Sequence, residues 1–285
     1  MFMGAEQSLI QAQKIGFKSA VHLDHIRGIM ENSLRRSVNI GFLSFRFQGT
    51  DGVTLETAKW AEVFEEMGHT CYYFSGLSDR PSERSMVVEK AHFRHPEIRE
   101  YYCKFFNNTK RTQEETRWIH QKRVFFKEQL YKFIQEFNIE LLVPQNLLSF
   151  PQNIALSMAL AEVIAETQIP TIAHHHDFTW ERKALLVNSI HDYISMACPP
   201  GLRSIQHVVI NSSASHQLAR RVGVSSTIIP NVMNFEVPPS EPDEYAADVR
   251  QALGMDPDEL LVLQPTRVVQ RKGIEHAIEL VSRLG

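Results

Sequence analysis

The stretch from residue 38 to residue 75, VNIGFLSFRFQGTDGVTLETAKWAEVFEEMGHTCYYFS, decides the fold class. It opens with a short apolar run, VNIGFLSF, that breaks into QGTDG. Val53, Leu55, Ala58, Ala61, Val63, Phe64 and Met67 then recur at helical spacing. Gly68 stands where a helix ends in the left-handed conformation, which glycine reaches most cheaply. GHTCYYFS resumes as a second strand. Strand, glycine loop, helix, strand is the repeating unit of a parallel sheet with covering helices, and the theme continues along the chain.

IELLVPQN (139–146) and IPTIAH (169–174) read as strands buried on both faces, with a helix over Pro151 to Thr167 between them. QHVVIN and STIIPN add two more strands around the helix SSASHQLARRVG. The mixed-charge segment between Ile98 and Asn138 carries aromatic residues at helical intervals and is expected to pack on the sheet as an amphipathic helix. The fold class is therefore α/β, a Rossmann-like doubly wound parallel sheet over residues 37–235. Residues 1–36 are a helix-compatible leader with no legible chemistry, either a docking helix or disordered. EVPPSEPDEY breaks the apolar periodicity and marks a linker at 236–244. Beyond it EYAADVRQALGM predicts a helix, ELLVLQPTR a strand entering a loop, and GIEHAIELVSRLG a helix, the start of a second, incomplete Rossmann-like domain at 245–285.

Composition narrows the partners. Thirty basic against 33 acidic residues give a net charge of −3, which argues against nucleic acid and for a small neutral or anionic ligand. The three cysteines, Cys71, Cys103 and Cys198, are odd in number and widely spaced, so they read as buried or inert thiols of a reducing compartment. No apolar run approaches the roughly 18–20 residues that span a bilayer and no signal pattern opens the chain, which predicts a soluble, cytoplasmic protein without a transmembrane segment.

Ligands of doubly wound sheets bind outside the carboxyl ends of the strands, so the loops after strands hold the candidates. In QGTDG, Gly49 and Gly52 let backbone approach a ligand ahead of a helix N-terminus, although a tight strand-to-helix turn explains them as well. AHHHDFTWER ends a buried strand with three histidines; alternation puts His174 and His176 on one side and His175 on the other. A zinc site would have to recruit His191 or Glu181. A structural role for at least one of the rings competes with substrate or catalytic work for one or two. Asn231 after STIIP sets a turn by bonding its own backbone. In PTRVVQRKG, Arg267 and Lys272 flank a helix start near Gly273 and suit a diphosphate.

These loops resemble the retaining glycosyltransferases of family 4, which have the GT-B architecture of two facing Rossmann-like domains. The likeness rests on Arg267, Lys272 and Gly273 as R-x(4)-K-G, on GTDGVTLETAKWAEVFEEMGHTC as the opening glycine loop, and on INSSASHQLARRVGVSSTIIPNVMNF as the segment before the hinge. It implies that Arg267 and Lys272 hold the diphosphate of a nucleotide-sugar donor, that His175 or His176 contacts the donor sugar, and that Gly49 to Gly52 lie under donor and acceptor. It implies transfer of a hexose to a hydroxyl acceptor with retention, no cofactor and no metal, the cationic pair serving instead. The family's E-x(7)-E pair would fall after Gly285, so these residues alone are expected to be inactive, with self-association possible through the incomplete second domain. Two other readings stand beside it: a nucleotide-sugar epimerase on the same scaffold, and a non-catalytic subunit that needs a partner half.

Overall fold

The computed structural model describes residues 36–232, 238, 241, 243–256 and 258–284. All but the last residue of the expected leader lies outside them, as does most of the expected linker. The chain divides into two compact units, Met1–Asn231 and Val232–Gly285.

The first unit contains β1 (Asn39–Leu43), α1 (Gly52–Glu66), β2 (Thr70–Ser75), β3 (Ser85–Val87), α2 (Pro96–Phe105), α3 (Gln113–Glu136), β4 (Leu141–Pro144), α4 (Ile154–Thr167), β5 (Thr171–His175), α5 (His191–Ala197), β6 (Ile205–Val209), α6 (Ser212–Val222) and β7 (Ser226–Ile228). The strands form one sheet in the order β3-β2-β1-β4-β5-β6-β7, and every pairing is parallel. The chain winds outward from β1 to β3, then returns to lay β4 on the other side of β1. That reversal makes a topological switch point between β1 and β4, where the crossovers leave in opposite directions and open a crevice.

Alternation along the strands assigns the two faces. Ile40, Phe42, Cys71, Tyr73 and Val143 pack with Trp60, Ala61 and Phe64 of α1. Leu43, Phe74 and Leu142 face a larger core built from α2, α3, α4 and α5. Gly41 lies on this second face because a β-carbon there would stand 2.8 Å from the Phe133 ring of α3. α4 is apolar around most of its circumference, with nine buried residues from Ile154 to Ile164, and it packs on α3 through Arg123, Lys127 and Tyr131, which bind Glu162 and Glu166. The mixed-charge segment is two helices rather than one. Asn107, at φ +63, lies in the loop between them, and Thr112 opens α3 with a reciprocal capping box to Glu115.

Cys71 and Cys198 are buried, and burial pushes both thiols up to about 12, whereas Cys103 is exposed. Among the described residues no helix is long and apolar enough to cross a membrane.

The second unit contains α7 (Glu244–Ala247), α8 (Val249–Ala252) and α9 (Ile274–Leu284). The single helix expected over 244–255 is thus broken at Asp248, which caps one piece and opens the other. The strand expected at 259–267 does not form among the described residues. A strand's N–H and C=O groups need a neighbouring ladder, and no other strand lies among the described residues of this unit to supply one.

Two glycines separate packing from function. A β-carbon on Gly76 would lie 2.0 Å from the backbone nitrogen of His92, whereas one on Gly52, at the first turn of α1, meets nothing within 4 Å. Gly76→Ala should therefore cost roughly 2 kcal/mol or more in a urea titration, and Gly52→Ala should be neutral or stabilising by up to about 1 kcal/mol. Equal effects would mean that the β2 and β3 loops do not approach as described.

Candidate functional site

The loops that flank the switch point come from β1 and β4, and that of β5 lies beside the β4 loop. After β1, Gly49 turns at φ +88 and its N–H donates to Asp79 Oδ2 (3.2 Å), from the loop after β2. Asp51 caps α1: Thr54 donates to it through N–H (3.4 Å) and Oγ1 (2.8 Å), and Arg46 Nη2 donates to its Oδ2 (2.9 Å). Burial works to raise the Asp51 carboxyl, but Thr54 and Arg46 outweigh it and hold the group below the usual range. Glu56 follows on α1, buried and paired with Lys59 at 3.0 Å.

After β4 come Gln145 and Asn146, both buried. Asn146 adopts φ +63, and its Oδ1 accepts from the backbone N–H groups of His176 (3.0 Å) and Asp177 (3.1 Å) and from Ser149 Oγ (3.0 Å). Gln145 Oε1 lies 3.0 Å from His176 Nε2. These two polar residues therefore fix both the backbone and the ring of the loop after β5. Asp177 is held in turn by an ion pair to Arg182.

The three histidines divide as alternation requires. His174 and His176 lie on the α1 face with ring centroids 4.2 Å apart, and His174 stacks on Trp60 at 4.5 Å. His175 lies on the opposite face, 1% exposed, with Nε2 2.9 Å from His207 Nδ1 of β6 and its ring against Phe178. Burial pushes His174 down to about 3, helped by the charge of His176. Burial, with His207, His174 and His176, drives His175 well below its ordinary value. His207 falls to about 4 through burial, against the opposing effect of a hydrogen bond to the Pro200 backbone. His176 is also lowered by burial, but Glu56, Asp177 and Asp51 pull it back up. His176 is the partly buried residue of the three, whereas His174 and His175 are fully buried. The residue on the Asp51 side of the edge is thus the least enclosed.

Gly49, Gly52 and the histidines belong to the first unit. Arg267 and Lys272 belong to the second, where both are exposed; Lys272 ends a 3-10 turn, Gly273 follows at φ +63, and α9 begins at Ile274. Asn231 is exposed at the end of the first unit. Glu181, weighed as a zinc ligand, instead accepts the Phe178 N–H (2.8 Å), and among the described residues no three His, Cys, Asp or Glu side chains gather as a metal site. Asp51, Glu56, Gln145 and Asn146 were not singled out in the sequence. An Asp directly before a helical apolar pattern and a polar pair closing a buried strand were the available signals.

No family model matches the chain. Curated relatives do. Over 254 residues the chain is 31% identical to the mannosylglucosylglycerate synthase of Thermotoga maritima, covering 87% of this chain and 57% of that protein. Over 260 residues it is 30% identical to the mannosylglucosylglycerate synthase of Petrotoga mobilis, with the same two shares of 87% and 57%. A mannosylglucosyl-3-phosphoglycerate synthase of Petrotoga mobilis is 30% identical over 146 residues, 47% of this chain and 28% of that protein. The chain therefore spans little more than half the length of the synthases it matches best among these, and it is similar to them along most of its own length.

Proposed function

We propose that this chain is part of a glycosyltransferase that moves a hexose from a nucleoside diphosphate sugar to the hydroxyl of a glycerate-containing glycoside, with retention, on a GT-B scaffold of family 4 type. The observation that carries the proposal is the similarity over 87% of the chain to two mannosylglucosylglycerate synthases, joined to a polar cluster at the carboxyl edge beside the switch point. Relatives named as synthases of a sugar conjugate favour transfer over the epimerase alternative.

In this reading His176 is the donor-sugar contact. With Gln145 Oε1 accepting, the neutral ring carries its proton on Nε2 and offers Nδ1 as an acceptor for a sugar hydroxyl. Asn146 positions it through the backbone. Arg267 and Lys272 bind the donor's diphosphate and stabilise its charge as it leaves, without a metal. His175, closed off against His207, is a packing residue.

Two outcomes test this in the full-length enzyme. His176→Ala should lower turnover with a nucleotide sugar roughly 10²-fold while leaving the melting temperature nearly unchanged, and His175→Ala should do the reverse, lowering stability first. A His176 variant with wild-type kcat sinks the assignment.

The second outcome is the response to acid. A neutral His176, its pKa lowered by burial, predicts turnover that does not rise as pH falls from 8 toward the ordinary imidazole value of 6.5; turnover that rises on acidification would mean that the imidazolium is the working form. Stability follows its own course. The unfolded chain protonates its histidines near pH 6.5, but folded His174, His175 and His207 resist protonation until far lower pH. Their contribution is therefore full above pH 6.5 and is lost as pH falls below it, by roughly 1.4 kcal/mol per pH unit for each ring. Chemical denaturation at pH 7 and pH 5 measures the difference.

A further inference from the structure

We propose that Asn146 reads the substrate as well as tying the histidine loop: its Nδ2 group donates to a sugar hydroxyl bound at the carboxyl edge of the sheet. The proposal rests on the transferase reading and adds a specificity-determining contact to it.

The orientation of the Asn146 amide is fixed by its partners. Oδ1 lies against the backbone N–H groups of His176 (3.0 Å) and Asp177 (3.1 Å), and a backbone N–H can only donate, so this atom is the oxygen. Ser149 Oγ adds a third donor at 3.0 Å. Nδ2, on the other arm of the same planar group, has no partner among the described residues. Unlike Nε2 of Gln145 and both ring nitrogens of His174, it is not sealed from solvent either.

The polar groups around it are otherwise committed. Gln145 Oε1 meets His176 Nε2, Asp177 pairs with Arg182, and Gln145 Nε2 and the His174 nitrogens are enclosed. His176 Nδ1 and Asn146 Nδ2 remain, an acceptor and a donor on adjoining loops, neither of them bonded or enclosed among the described residues. A hydroxyl answers both, since it donates one hydrogen bond and accepts others. The surrounding charge selects the same class of ligand. Asp51, Glu56 and Asp177 all act on His176, so a phosphate or carboxylate oxygen would meet three like charges there, whereas a neutral sugar hydroxyl escapes that repulsion.

The backbone shows why the residue is an amide. At φ +63 glycine would cost least, and Asn and Asp are the side chains that tolerate the conformation best. An aspartate would serve the loop equally well, because a carboxylate accepts the same three donors. Only the amide brings an N–H to the end of β4, the strand that borders the switch point.

Asn146→Asp therefore separates the two roles. It keeps the loop's acceptor and removes the donor, so the melting temperature should stay nearly unchanged. The measurement is calorimetric binding to the full-length enzyme at pH 8, where His176 stays neutral beside the new carboxylate. The probes are the GDP and UDP derivatives of mannose and of glucose, glucosylglycerate, and the monodeoxy analogues of each. For wild type, one analogue is expected to bind roughly 5- to 10-fold more weakly than its parent, and for Asn146→Asp that pair should bind alike. A donor analogue places the hydroxyl on the transferred hexose, an acceptor analogue on the glycoside. The added charge weakens parent and analogue by a common factor and leaves the ratio untouched. Ser149→Ala, which loosens the loop but spares Nδ2, should lower the melting temperature and keep the wild-type ratio. Asn146→Gly, suited to the left-handed backbone, gives the same comparison if the aspartate variant does not fold. Wild type that discriminates no analogue, penalties that persist in Asn146→Asp, or a ratio lost equally in Ser149→Ala overturn the contact. The coupling in binding with no sugar transfer to glucosylglycerate overturns the transferase reading instead.

Discussion

β4 and β5 pair at their start through Leu142↔Thr171, and at their carboxyl ends the bridge Gln145↔His174 and the Asn146 N–H donated to His174 O at 2.9 Å join them. The side chain of Asn146 completes the joint. Its oxygen accepts three donors, two of them backbone N–H groups of the histidine loop, and the left-handed backbone at this residue aims it there. A parallel sheet gives its strands no hairpin to set how they end. Each strand must be reached by a crossover, so the positions of the loops depend on side-chain ties of this kind. The placement of His176 against Gln145, and so the character of the whole edge, follows from this one amide.

The histidines show how a buried strand end sorts identical residues into different chemistry. His175 is only a residue away from His174 and His176, yet the pleat turns it toward His207 and Phe178, where no proton can be held cheaply. His174 pays the same cost of burial against Trp60. Of the three, His176 is the one that is only partly buried and has three carboxylates working against its desolvation, although burial still prevails. Position in the pleat, rather than residue type, separates a packing ring from one able to meet a ligand.

Much of the framework was legible because parallel strands buried on both faces leave continuous apolar runs: NIGFL, TCYYFS, LLVP, TIAHH and IQHVV were each found where β1, β2, β4, β5 and β6 form. The alternation of His174 and His176 against His175 was read correctly for the same reason. β3, three residues with no fully buried side chain, left no such signal. α5 was missed because it is only two turns long and its register comes from tertiary packing of Tyr193, Ile194 and Ala197. The apolar run at 259–263 has a strand's composition without a strand's neighbour, so composition misled there. Gln145 and Asn146 were passed over because their importance is relational: nothing in PQN states that a loop thirty residues later will need its acceptors.

The stacking of Trp60 on His174 also gives the molecule an optical handle. The chain has three tryptophans, and Trp118 and Trp180 stack on Tyr101 and Phe178 rather than on a histidine. Trp60 alone lies against an imidazole, and that imidazole is one ring away from His176. Its excited state senses the charge and orientation of the neighbouring ring. With Trp118 and Trp180 replaced by phenylalanine, the emission of the single remaining indole would report events at the histidine edge in real time, without label, substrate turnover or any added probe.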